Sequence, residues 1–309
     1  MEIDSEDAQL IDNASKFIIR NVRGRFYPIK EQTSCEFSDL GEFVQVPIKD
    51  TLGREVKIAL FIAKPENPLP ENPIVLIAPG DNEIIDDYIQ FIDFFIPFGI
   101  NYCVMDYRGR GYSEGEYVTL GDNEIDDVFT VIRYLKENGY SKISYFGRSR
   151  GAICGIFAAV EFPELISVAL DSPRIHLGDD DEYISEKFNI SKEKAHELLP
   201  HIYKKVSETI GIDFSRADQP YILAERIRQP IYVIHGESDG NIPVSESREL
   251  ISILKSEEKE LVVFRGGHNS MSRWCVHIPK QLHFIAKHMG VDLSLEDYFE
   301  VVKKVGLSQ

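Results

Sequence analysis

A chain of 309 residues, 43% hydrophobic and 28% charged, is long enough for one large α/β domain with an insertion, and its composition is that of a soluble globular protein. Its formal charge of −17 at pH 7, from 34 Lys and Arg against 51 Asp and Glu, argues against long-range attraction to nucleic acid or an anionic membrane surface. No apolar run approaches the ~18 residues of a membrane span, and the acidic opening "MEIDSEDAQLIDNASKF" lacks the basic and apolar regions of a signal peptide.

Residues 6–22 read as a peripheral helix within an N-terminal extension, 1–41. "EFVQVPIKD" (42–50) and "EVKIALFIAK" (55–64) alternate apolar and polar residues around "TLGR", which predicts a hairpin with one wetter face. After a Pro- and Asn-rich loop the pattern changes. "PIVLIAPG" (73–80), "INYCVMDYRG" (100–109), "KISYFG" (142–147), "LISVALD" (165–171), "QPIYVIHG" (229–236) and "ELVVFRGG" (260–267) are continuous apolar runs. Between most of them lie stretches of helical period, such as 84–98 and 122–139. Such runs alternating with amphipathic helices describe a parallel sheet covered on both faces. With the hairpin added, the sheet is mixed and has eight strands.

The core is expected over 42–171 and 220–290. The interval 172–219 is too long for a plain connection. It is read as a small helical cap, with a helix over 191–210, above the carboxyl edge where open α/β sheets bind ligands. Residues 291–309 add a C-terminal helix. The four cysteines, Cys35, Cys103, Cys154 and Cys275, are widely spaced without a C-x-x-C pair, and a reducing, cytoplasmic setting fits them.

Chemistry concentrates at "KISYFGRSRGAICGIFAAV", where Ser149 sits at the centre of G-x-S-x-G between a strand and a small-residue helix. A serine there needs a base to take its proton. Of eight histidines, His268 in "VVFRGGHNS" follows the last apolar strand on a Gly-rich loop and is the expected base, whereas His235 is expected to brace a turn. The acid that orients it is expected at Asp239 in "HGESDGNIP", which completes the chain order Ser, Asp, His; Glu237 and Asp171 are competing acids.

Over roughly residues 42–290 the chain resembles the α/β-hydrolase superfamily, in its esterase and acylaminoacyl-peptidase-like branch. Besides the serine motif, "DYRGRGYSEG" (106–115) is similar to the D-x-R-G-x-G-x-S-x-G loop of that family, and "HGESDGNIP" to its acid loop, with Ile242 where valine is common. "LGDNEIDDVFTVIRYL" resembles the helix before the serine motif in peptidase members. The resemblance implies an α/β-hydrolase fold and a serine hydrolase acting through an acyl-enzyme. It also implies an oxyanion hole made by the backbone N–H groups of Arg150 and Asp81. Family members often carry H-G-G or H-G-x-G where this chain reads "APGD", so an aspartate side chain stands where the amide must donate, and it is expected to point away and cap the helix near Ile84.

Arg148 and Arg150 flank the serine and have two readings: they pair with acids that brace the turn, or one receives a substrate carboxylate. "RGRGYSEG" lacks the ending of a phosphate-binding P-loop, and the carboxylates of "DDDEY" match no calcium loop. Trp274 and the aromatics of 84–98 are read as core. No metal or organic cofactor is expected. The expected partner is a small acyl substrate, an ester before a peptide before a thioester, and the oligomeric state stays open. The rival from another class is a binding protein on a hydrolase scaffold.

Overall fold

The computed structural model describes residues 3–22, 25–26, 40–50, 53–118, 122–176, 180–211 and 220–306. Cys35, part of "TLGR", and both 177–179 and 212–219 of the expected cap lie outside the described residues.

Ten strands are described: β1 (Arg25–Phe26), β2 (Glu42–Lys49), β3 (Glu55–Ala63), β4 (Ile74–Ala78), β5 (Asn101–Met105), β6 (Arg110–Gly111), β7 (Ile143–Arg148), β8 (Val168–Asp171), β9 (Ile231–Gly236) and β10 (Lys259–Phe264). Eight of them form one sheet in the order β10-β9-β8-β7-β4-β5-β3-β2. Only the β2–β3 and β3–β5 pairs are antiparallel; the remaining neighbours are parallel. This is the mixed eight-stranded sheet that the run of apolar segments predicts. The two-residue pair β1–β6 had no sequence signal.

The inner parallel strands are buried on both faces because their alternate residues enter two different clusters. In β4, Ile74, Leu76 and Ala78 face one side with the helices α3 (Asp122–Glu137) and α4 (Arg150–Glu161). Val75 and Ile77 face the other, with α9 (Ile278–His288). A strand packed on both sides leaves no polar position, hence the continuous apolar runs. α10 (Leu295–Gly306) adds the buried Tyr298, whose ring stacks on Phe98 at 4.5 Å.

The segment 84–98 departs from the expected single helix. It is a four-residue helix, α2 (Ile85–Tyr88), followed by two 3₁₀ segments, Ile89–Phe94 and Ile96–Phe98. The physical reason is its aromatics. Three residues per turn brings positions i and i+3 into line, and Tyr88, Phe91 and Phe94 sit at that spacing with centroids 5.2 and 6.1 Å apart. Further along the chain, α7 (Pro220–Ala224) is a short helix and α8 (Val244–Ile253) packs against β9 and β10.

In the interval 172–219, α5 (Asp180–Phe188) and α6 (Lys192–Ile210) form a hairpin. Ser191 caps α6 by accepting from the Lys194 N–H at 3.1 Å, and Gly211 ends it in the left-handed region. The N-terminal helix α1 (Ser5–Val22) packs on this hairpin. Its Ile11 and Ala14 share one apolar cluster with Ile184, Leu198 and Ile202 of the hairpin. Val118, on the stretch between β6 and α3, closes the same cluster.

Candidate functional site

Ser149 follows β7 directly and precedes the first residue of α4, with φ 50° and ψ −107°. A non-glycine residue is strained there. The strain is held by packing that only glycine allows on either side. A Cβ on Gly147 would lie 2.2 Å from the Gly151 carbonyl oxygen, and one on Gly151 would lie 2.0 Å from that of Ala78 in β4. The Ser149 N–H donates to the Asp171 carbonyl at 2.7 Å, and the Tyr145 hydroxyl to that of Gly151 at 2.7 Å. The turn therefore rests on both neighbouring strands.

Asp239 and His268 sit on the loops after the adjacent strands β9 and β10, and the loops are stitched together. Glu237 N–H donates to Phe264 O at 2.8 Å and Ser238 N–H to Gly266 O at 2.9 Å. His268 Nδ1 lies 2.7 Å from Asp239 Oδ2, with the aspartate fully buried. The other carboxylate oxygen accepts from the N–H groups of Asn241 and Ile242 at 2.9 and 3.0 Å. Burial opposes ionisation of Asp239, but the His268 hydrogen bond and those two amides outweigh it and hold the carboxyl well below the usual range.

The competing acids are placed elsewhere. Glu237 is exposed. Asp171 is buried, ion-paired with Arg273 and 3.3 Å from Arg148 Nε. His235 braces its turn, with Nδ1 2.7 Å from Ser247 Oγ and Nε2 2.9 Å from Ile242 O.

The loop after β4 is held from below, where Pro79 O accepts from the Tyr107 hydroxyl at 3.1 Å and from Gly151 N–H at 3.2 Å. Contrary to the expectation from the sequence, the Asp81 side chain does not cap the helix near Ile84; Asp87 does, accepting from Ile84 N–H at 2.9 Å. Asp81 Oδ1 instead lies 3.0 Å from Arg150 and 3.2 Å from Arg110. Burial works against its charge, but the Arg150 and Arg110 guanidiniums win and hold its carboxyl below the ordinary value. A carboxylate paired with two guanidiniums presents less negative charge to its surroundings.

Both arginines beside the serine pair with acids of the chain itself. Arg150 lies between Asp81 and Glu124, the latter at 3.6 Å. Arg148 is buried, ion-paired with Glu83, and donates to the His268 carbonyl at 2.9 Å and to Asn269 Oδ1 at 2.7 Å. Glu83, Asn269 and Arg273 went unread in the sequence. Their partners are other loops' side chains and carbonyls, so no local spacing marks them. Trp274 and the aromatics of 84–98 do pack together, with Trp274 6.0 Å from Tyr88 and 6.2 Å from Phe91. Cys103 and Cys154 are buried thiols and Cys275 is exposed. Among the described residues no group of three His, Cys, Asp or Glu could hold a metal, and no helix is long and apolar enough to cross a membrane.

The family described as "Serine aminopeptidase, S33" matches residues 70–219. Two proteins of Bacillus subtilis are similar in sequence. Uncharacterized protein YqkD is 25% identical over 206 residues, 64% of this chain and 65% of its own length. Uncharacterized peptidase YtmA is 25% identical over 193 residues, 60% and 65%. The match thus spans just under two thirds of either relative. Among solved structures, the Pyrococcus furiosus esterase Pf2001 superposes with a TM-score of 0.62 at 22% identity, over 87% of this chain and 98% of that one. Together with the sheet order, this establishes the α/β-hydrolase fold.

Proposed function

We propose that this chain, a member of the α/β-hydrolase superfamily, is a serine hydrolase that cleaves a carboxylic ester of modest size, with Ser149 as nucleophile, His268 as base and Asp239 as the acid that orients it. The observation that carries the reading is the conjunction of a serine strained at φ 50° with a His268–Asp239 pair at 2.7 Å on the loops of adjacent strands. Backbone strain of this kind clusters at functional sites.

His268 donates Nδ1–H to Asp239, which leaves Nε2 to take the serine proton. Ser149 Oγ bonds to the substrate carbonyl carbon, and the tetrahedral oxyanion is held by the amides of Arg150 and Asp81. His268 then returns the proton to the leaving alkoxide, and the acyl-enzyme forms. Water, deprotonated by the same imidazole, releases the acid and regenerates Ser149. The imidazolium meets an aspartate that stays ionised, and it adds the missing positive charge to a cluster in which Arg148 and Arg273 face Glu83, Asp171 and Asp239. Both flanking arginines act as braces in this reading, since their forks are engaged by internal carboxylates. The hairpin cap limits what reaches the serine, which favours small acyl substrates.

The name of the matched family and that of YtmA favour a second reading, cleavage of short or acylated peptides. Turnover of p-nitrophenyl acetate and butyrate beside aminoacyl-p-nitroanilides separates them. Faster ester cleavage, with a burst lost in Ser149→Ala, is the expected result; anilide cleavage with inert esters reverses the order. A folded protein inert to all of these would instead be a binding protein.

A further inference from the structure

We propose that Arg148 is a positioning residue that ties the loop carrying the Asp81 amide to the loop carrying His268, so that oxyanion hole and base are set as one unit. This rests on the hydrolase reading above and goes beyond bracing, which needs only that the arginine be paired. The path is short and continuous. On one side Arg148 donates to the His268 carbonyl at 2.9 Å and to Asn269 Oδ1 at 2.7 Å. On the other it pairs with Glu83 Oε1. The remaining oxygen of Glu83 accepts from Gly80 N–H at 2.6 Å and from the Tyr88 hydroxyl at 2.6 Å. Gly80 is the residue joined to Asp81, so the carboxylate that holds Arg148 also holds the peptide plane immediately before the one that bears the Asp81 N–H.

The joint has little slack. Arg148 is 3% exposed, its β7 position is in register with Asp171, and the Trp274 ring lies 5.3 Å from its guanidinium carbon. A Cβ on Gly80 would come within 2.5 Å of Glu83 Oε2 and 3.1 Å of Arg148. Burying a guanidinium is costly even when paired, and a planar fork that reaches several acceptors at once is what lysine cannot supply. The arrangement makes sense of that cost if the geometry of two loops depends on it.

The test uses Arg148→Met, Glu83→Gln and the exposed Asn269→Ala, singly and combined, in the full-length protein. Arg148→Met is expected to lower kcat on p-nitrophenyl butyrate about 100-fold with KM within about threefold, because only transition-state geometry suffers. Glu83→Gln and Asn269→Ala touch opposite sides of Arg148. Their double variant should lose at least threefold less than the product of the single losses, and each should lie within about twofold of neutral in the Arg148→Met background. A folded Arg148→Met with kcat within threefold of the parent, or effects of Glu83→Gln and Asn269→Ala that simply multiply, would overturn the coupling. A readout without substrate keeps the two readings apart. The low-field proton resonance of His268 Nδ1–H should move in Glu83→Gln, and that shift should vanish once Arg148 is Met. Movement of the resonance in a protein inert to esters and anilides alike would sink the hydrolase reading and keep the coupling; normal turnover with a fixed resonance would do the reverse.

Discussion

At the carboxyl edge of the sheet the innermost ion pairs are made by arginine and hidden. Arg148, Arg273 and Arg108 are 3%, 0% and 3% exposed, and their partners Asp171 and Asp127 are fully buried. On the cap module the same chemistry is done by lysine in the open, with Lys16, Lys194 and Lys205 at 73%, 34% and 43% exposure beside Asp12 and Asp7. The difference teaches where specificity was needed. An exposed lysine pair is screened and contributes little, whereas a buried guanidinium fixes the direction of every group it touches. The cap is held instead by its apolar cluster, while the edge of the sheet is held by directed charge.

The comparison breaks most visibly at the buried end. Asp239→Asn should lower kcat about 10⁴-fold with the fold intact, because an amide no longer selects the tautomer that leaves Nε2 to accept a proton. Steady-state kinetics with a circular-dichroism control checks it. Arg273→Met should cost about 3–5 kcal/mol in a urea titration, since it removes the ion-paired guanidinium from the fully buried Asp171 carboxylate and leaves it only Arg148, at 3.3 Å. Adding Asp171→Asn should recover part of that loss.

A pH-dependent effect follows from Asp106, whose two oxygens accept from the Ile85 and Tyr112 N–H groups at 2.9 and 2.7 Å. Burial pushes its carboxyl up from the ordinary 3.8 to about 8. The folded protein then holds a proton that the unfolded chain releases near pH 4, so this contribution is fully present below pH 4 and lost as pH rises to about 8. The slope is at most about 1.4 kcal/mol per pH unit. Melting temperature should fall from pH 5 to 8, and less steeply in Asp106→Asn. The smallest effect is expected on the cap, where Lys205→Ala should leave the melting temperature within about 2 °C. A large drop there would erase the contrast between the two regions.

Much of this could be read from the chain. Strands such as Ile74–Ala78 announce themselves as unbroken apolar runs because both faces are covered, and "GRSRG" needed only a strand before it and a helix after it. What could not be read depends on partners rather than on pattern. The 84–98 segment has helical spacing, but a period of 3.0 cannot be told from 3.6 in so short an aromatic run. The apolar stripe of α1 says that it packs, not that it packs on α6. Arg148 is 65 residues from Glu83 and 120 from His268, so its role in joining them appears only when the chain is folded.

The central claim is that Ser149 is an activated nucleophile. Its most direct test is labelling with a fluorophosphonate at neutral pH, followed by intact mass and peptide mapping. The account predicts one adduct per chain, on the peptide carrying Ser149, lost in Ser149→Ala and slowed in His268→Ala. A folded protein that takes up no label, or labels equally well with alanine at 149, would contradict it.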